Sequence, residues 1–345
     1  MADKNKITPL DTITMQELFE NVYCSNAAII KDLLYPGTYL FAGSPKIGKS
    51  FFVTQLAYHV STGTPLWDLP TRKGKVLYLA LEDTYRRLQE RMYRMFGTET
   101  TDLLHFSVSS GKLKNGLEEQ IQIFLDEHPD TALVMIDTLQ KIREEENDST
   151  YANDYKVVTQ LKNLSDKHGI CIVVVHHTRK LKSDDKYDMI SGTNGLFGAA
   201  DGALILQKEK RTSNKATLDV SGRDQPDLLF RITRNEERLV WELNEMETEL
   251  WKEKPDPLLE KVAEIITTDK HDWEGSASEF VALLGVDLKA NTLSLKLNVN
   301  ASRLLNEYNI SYSSSRSHAG RKLSFHLLRD DRDDGDDRDG LLHAP

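Results

Sequence analysis

Gly43-Ser44-Pro45-Lys46-Ile47-Gly48-Lys49-Ser50 satisfies the pattern G-x-x-x-x-G-K-[ST] without interruption. Its flanks fit as well as its letters. The apolar run Thr38-Tyr39-Leu40-Phe41-Ala42 leads in as a strand, and Ser50-Phe51-Phe52-Val53-Thr54-Gln55-Leu56-Ala57 leads out with helical periodicity. Strand, glycine-bounded loop and helix start together form a phosphate cradle: the glycines let the backbone curl around an anion, and the helix N-terminus offers unpaired N–H groups. Residues 43–51, Gly43 through Phe51, are therefore the expected site for a nucleoside triphosphate, taken as ATP. Lys49 would reach the β- and γ-phosphates and the Ser50 hydroxyl would hold Mg²⁺.

Outward from the loop, buried-looking strands alternate with helical patterns. Val76–Ala80, Ala132–Ile136, Ile170–Val175 and Gly202–Leu206 are near-continuous Val/Ile/Leu/Ala runs, with helices expected over 117–128 and 154–168. That alternation predicts an α/β fold with a largely parallel central sheet covered on both faces. Shorter runs at 216–220, 228–232 and 239–243 read as an antiparallel extension. Lys252-Glu253-Lys254-Pro255-Asp256-Pro257 is a charged linker. Beyond it, helices at 258–266, from the capping box Ser276-Ala277-Ser278-Glu279, and at 299–308 precede a hairpin at 310–312 and 323–327, the order of a winged helix. The expected organisation is a leader over 1–34 with an amphipathic helix at 15–23, packed on the next domain or a neighbouring subunit; a nucleotide-binding domain over 35–250; a small winged-helix-like domain over 257–328; and a disordered acidic tail over 329–345.

Bulk properties narrow the class. The chain has 345 residues, 39% hydrophobic and 28% charged, as in soluble globular proteins. It has no apolar stretch long enough for a membrane span and no apolar leader at its N-terminus. Cys24 and Cys171 are too few for a disulfide framework or metal cluster, so a reducing, cytoplasmic setting is expected. The net charge of −10 argues mildly against a general nucleic-acid coat, but the tail alone contributes seven Asp against three Arg. Local clusters must decide.

Ligands of open α/β sheets bind beyond the carboxyl ends of the strands. Here those ends carry the phosphate loop, Leu81-Glu82-Asp83, Asp137-Thr138 and His176-His177-Thr178. Glu82 is placed to polarise an attacking water, Asp137 to hold Mg²⁺ through its water shell, and the histidine pair to sense the γ-phosphate. Read singly, Glu82 or Asp137 could cap a helix; shared position at one sheet edge favours the joint reading. Lys141 to Tyr155 is expected as a loop, and Glu144-Glu145-Glu146 makes it a poor phosphate partner. Arg179, Lys180, Lys182 and Lys186 form a basic segment closed by Ser191-Gly192-Thr193-Asn194-Gly195, suited to a nucleic-acid backbone or to plain solvation. Arg223, in Ser221-Gly222-Arg223-Asp224, could be offered to a neighbouring subunit's nucleotide, with Arg179 and Arg231 as rivals. Arg316, Arg321 and Lys322 make the C-terminal hairpin basic, as duplex DNA contact would require, although winged helices also dock proteins.

Taken in order, Gly-Ser-Pro-Lys-Ile-Gly-Lys-Ser, Tyr-Leu-Ala-Leu-Glu-Asp, Val-Met-Ile-Asp-Thr-Leu-Gln-Lys-Ile-Arg, Val-Val-Val-His-His-Thr-Arg-Lys, Ser-Gly-Thr-Asn-Gly and Ser-Gly-Arg-Asp resemble the RepA-type, RecA-fold hexameric replicative helicases of plasmids, phages and mobile elements. The resemblance covers about residues 30–245. It implies a P-loop ATPase using ATP and Mg²⁺, with Glu82 as catalytic carboxylate, Asp137 as the second acidic motif, His177 as sensor and Arg223 as an arginine finger. It also implies a homo-hexameric ring around single-stranded DNA, acting as an ATP-dependent helicase or translocase. An ATP-switched DNA-binding regulator without unwinding activity, and a filament-forming recombination ATPase, are the alternatives.

Overall fold

The computed structural model describes residues 11–23, 27–113, 115–143, 150–177, 194–208, 210, 212–223, 225–248, 255–267, 269–317 and 320–328. In chain order the elements are α1 (Met15–Glu20), β1 (Gly37–Gly43), α2 (Lys49–Thr62), β2 (Lys75–Ala80), α3 (Tyr85–Phe96), β3 (Leu104–Ser107), α4 (Leu117–Glu127), β4 (Thr131–Asp137), α5 (Leu139–Ile142), α6 (Thr150–His168), β5 (Cys171–His177), α7 (Asn194–Ala199), β6 (Gly202–Gln207), β7 (Lys215–Gly222), β8 (Gln225–Arg234) and β9 (Trp241–Thr248). There follow α8 (Pro257–Ile265), β10 (Asp272–Ser276), α9 (Ala277–Leu284), α10 (Ala290–Val299), α11 (Ala301–Tyr308), β11 (Ile310–Ser317) and β12 (Gly320–Leu327). They divide into a larger unit, Asn26–Glu253, and a smaller one built from the described residues on either side of it.

In the larger unit the strands form one sheet in the order β3-β2-β4-β5-β1-β6-β7-β8-β9. β3 through β6 pair in parallel and β6 through β9 antiparallel, as the hydrophobic runs and the shorter strands predict. Strands β1, β4 and the apolar stretch of β5 are buried along their length, because helices cover both faces. One apolar layer joins α2 to the sheet through Phe52, Val53, Leu56 and Val60, and the other joins α4 and α6 through Ile121, Leu125, Val158 and Leu161. Several elements escaped the sequence reading, among them α7, which begins at Asn194 where a glycine-closed loop was expected. Strand β3 is half-buried with no apolar run, and α3 shows only two buried residues, Leu88 and Met95, on an otherwise polar helix. The expected loop over 141–155 is partly helical: Lys141 lies in α5 and residues from Thr150 in α6, with 144–149 outside the described residues.

Among the described residues the smaller unit holds α1 and α8, strand β10, three further helices and a hairpin, with a sheet in the order β10-β12-β11. Its core gathers Leu259, Phe280, Leu297, Leu304, Tyr312 and Phe325. Strand β10 adds an edge beside β12 that the sequence did not suggest, since Asp-Trp-Glu-Gly-Ser lacks an apolar alternation. The helix expected over 299–308 is α11, and α10, which ends at Val299 just before it, was not foreseen. The stretch read as one leader is divided. Helix α1, closed by a Thr14–Glu17 capping box, packs with the smaller unit, while Ile29, Ile30, Leu33 and Leu34 are buried in the larger one. The partner of α1 is α10: Asn298 Nδ2 donates to the Phe19 and Glu20 carbonyls, each at 3.0 Å. The acidic tail over 329–345 lies outside the described residues. Among the described residues no helix is long and apolar enough to cross a membrane.

Candidate nucleotide site

The order β2-β4-β5-β1 makes four carboxyl ends neighbours, so Glu82, Asp137, His177 and the phosphate loop line one edge. Register fixes this closely: Ala80 pairs with Asp137 and Gly43 with His177. Local sequence shapes the loop. Gly43 has no room for a side chain, since a Cβ would stand 2.7 Å from the Leu206 carbonyl oxygen. Gly48 takes φ 107° as it opens α2, a conformation L side chains rarely adopt. Ser44, Pro45 and Lys46 are exposed at the tip, and Ile47 turns into the core.

Lys49 is buried, and its Nζ donates to the Gly43 carbonyl at 2.6 Å, the Ser44 carbonyl at 3.0 Å and His177 Nδ1 at 3.0 Å. Burial draws its amine down to about 8, against the opposing pull of Asp137 and Glu82. The contact requires His177 with a free Nδ1. Burial first, and then the Lys49 charge, lower the His177 pKa and favour that neutral ring. Asp137 shows the reverse. Burial raises its carboxyl and the Glu82 charge adds to this, while the Ser50 hydroxyl, Lys49 and Tyr78 Oη at 3.4 Å oppose. Glu82 is exposed and accepts from Thr138 Oγ1 at 3.2 Å. Lys49, Ser50, Glu82, Asp137 and His177 thus meet in one place. His176 is buried and faces away, as alternation along a strand demands.

One serine hydroxyl and one buried carboxylate are too few to cage a metal. They do suit Mg²⁺, which takes one or two protein oxygens and draws the rest from phosphate and water. Among the described residues no cluster of three or more His, Cys, Asp or Glu side chains could hold a metal ion.

Other expected residues lie elsewhere. Arg223 follows β7, whose last residue Gly222 pairs with Gly202 at the start of β6, the sheet edge opposite the phosphate loop. Its side chain donates to the Gly198 carbonyl at 2.9 Å. The rival Arg231 is paired with Glu247 at 2.7 Å. Arg179, Lys180, Lys182 and Lys186 fall outside the described residues. In the smaller unit Arg316 pairs with Glu20 at 3.2 Å, Arg321 lies 3.9 Å from the same carboxylate, and Lys322 is paired with Glu274. The basic hairpin is therefore partly neutralised by acids that are remote in sequence.

Several residues at the site were not foreseen. Phe51 carries the Arg234 guanidinium 4.0 Å from its ring centroid and that of Arg91 at 5.1 Å, while Arg91 is paired with Asp83 at 2.5 Å. Trp241 Nε1 donates to the Gly48 carbonyl at 3.3 Å. No local signal marks an arginine or tryptophan some 190 positions downstream as a neighbour of the loop.

Residues 24–183 match the family described as AAA domain. No curated protein matches the chain in sequence. Among solved structures, one ATPase domain is similar with a TM-score of 0.53 and 14% identity, over 67% of this chain and 95% of that one. A DnaB-like replicative helicase, studied with its interactions with primase, is similar with a TM-score of 0.50 and 15% identity over 65% of this chain; the match spans 64% of the helicase. Sheet order and phosphate loop agree with these likenesses, and the larger unit has the fold of the ATPase domains it is similar to.

Proposed function

We propose that the protein is an ATP-dependent translocase on single-stranded DNA, serving as a replicative helicase of a mobile element and hydrolysing ATP between subunits of a ring. The observation that carries this reading is the direct contact of Lys49 with His177, the last strand residue before the basic segment Arg179–Lys186. A group that touches the phosphate-binding lysine is placed to register the γ-phosphate and to pass its loss to whatever that segment grips.

In this reading the N–H groups of residues 43–51 and the Lys49 amine bind the triphosphate. Ser50 and Asp137 hold Mg²⁺, which neutralises charge on the phosphates when bound. Glu82 orients and deprotonates the attacking water; its exposure leaves room for that water beside Thr138. Arg223 acts as an arginine finger in trans. Its own loop lies at the far end of strands about 3.3 Å per residue long, so a neighbouring subunit's nucleotide is the one within reach. Arg179, Lys180, Lys182 and Lys186 contact the DNA backbone.

A second reading draws on the smaller unit. Its sheet order β10-β12-β11, closed by a hairpin that sets Arg316 opposite Arg321, supports a winged helix contacting duplex DNA with Arg316, Arg321 and Lys322. An ATP-switched DNA-binding regulator would need no more than this.

ATP turnover measured with and without single-stranded DNA, alongside mass photometry, separates the two. Acceleration by the DNA and a hexameric mass support the translocase. Slow turnover that the DNA leaves unchanged supports the regulator. Absence of turnover in wild type, or turnover unaffected by Lys49→Ala, overturns both.

A further inference from the structure

We infer that Trp241 is a positioning residue for the phosphate loop, fixing the Gly48 peptide in the orientation that receives triphosphate. The inference rests on the nucleotide reading of that loop and adds a residue outside the segment that matches the AAA domain family.

Trp241 opens β9, four strands from β1 in the sheet order, yet its fully buried indole lies against the loop. The antiparallel extension must therefore curl over α2. Indole Nε1 donates to the Gly48 carbonyl at 3.3 Å, and the Phe52 N–H that begins the helix donates to that same oxygen at 3.2 Å. A Cβ on Gly48 would come within 2.9 Å of the indole ring, so the ring also walls one side of the glycine. Trp241 is itself held by its backbone. Its N–H donates to Gln55 Oε1 at 2.8 Å, and its carbonyl accepts from Gln55 Nε2 at 2.9 Å and from Trp67 Nε1 at 2.6 Å. Gln55 is a buried residue of α2, so the helix that carries Lys49 and Ser50 is tied to β9 by a reciprocal pair of hydrogen bonds.

A glycine can occupy several backbone states, and only some aim the following N–H groups into a common anion site. A donor on its carbonyl and a wall beside its Cα select one of them. No atom of Trp241 needs to touch the nucleotide; the effect passes through Gly48.

Trp241→Phe keeps the wall and removes the donor. In the full chain it is expected to raise both the KM and the Kd for ATP by about tenfold, the upper range for one lost hydrogen bond. The kcat is expected to stay within about twofold, because the loop holds ground and transition states alike. The melting temperature without nucleotide reports folding independently. A folded variant with wild-type KM, or one that loses kcat with KM unchanged, overturns the inference and leaves the nucleotide reading intact. Failure of the wild type to bind ATP removes the nucleotide reading itself. Should Trp241→Phe not fold, the decision passes to a Trp67→Phe, Trp251→Phe, Trp273→Phe chain with Trp241 as sole emitter. A change in its emission on adding ATP, absent when Lys49→Ala is introduced, supports the role; unchanged emission overturns it.

Discussion

Lys49 holds a charge in a place that resists charge. Burial lowers its amine to about 8 although two carboxylates pull the other way. Triphosphate requires the protonated form, so ATP affinity is expected to fall as pH rises from 7 to 9, most steeply above 8. Calorimetric titrations at fixed free Mg²⁺ would show this, and a flat Kd across that range would refute it. Stability of the nucleotide-free protein carries the opposite sign. The unfolded amine titrates near 10.5, so between about 8 and 10.5 the unfolded chain binds more protons and this group's contribution to stability rises with pH. Gly48 is constrained differently. At φ 107° with the indole 2.9 Å from any added Cβ, Gly48→Ala must either rotate the peptide or displace Trp241. Loss of ATP binding by tenfold or more is expected, with the protein still folded by circular dichroism.

At the scale of elements, α1 shows how a six-residue helix persists. Alone it is far shorter than helices stable in water, and its capping box adds only a modest amount. Its C-terminal carbonyls are satisfied from outside by Asn298, a residue 2% exposed whose own Oδ1 accepts from Tyr312 Oη at 2.9 Å. Asn298→Ala would free two helix-terminal carbonyls and remove the Oδ1 acceptor from the Tyr312 hydroxyl. We expect a loss of about 2–3 kcal/mol in the smaller unit, at about 1 kcal/mol for each of the hydrogen bonds removed. Chemical denaturation followed by Trp273 emission measures it, and a variant as stable as wild type would show that α1 adds nothing. The hairpin has a related lesson. Arg316 and Arg321 read as free cations along the chain, but Glu20 stands beside both once α1 docks.

For the molecule as a whole, one expectation concerns assembly. With Arg223 at the sheet edge remote from its own loop, Arg223→Ala should abolish turnover while ATP still binds with near wild-type affinity. Normal hydrolysis by that variant would rule out the role in trans. The sequence by itself determined the phosphate loop, the parallel strands beside it and the acids and histidines at their ends. Those features rest on short-range pattern: continuous apolar runs make buried strands, and polar residues just after them fall at the carboxyl edge. Glu82, Asp137 and His177 were legible for that reason before their distances were known. Order across the sheet was not, because strand pairing joins residues scores of positions apart and leaves no trace in local periodicity. Neither β3 nor β10 announces itself, since each is a half-exposed edge without alternation. Only the tertiary structure brought Trp241, Arg234 and Arg91 to the loop and Glu20 to the hairpin. Such contacts depend on how the sheet curls and where chain ends dock, and these are properties of the packed whole rather than of any one segment.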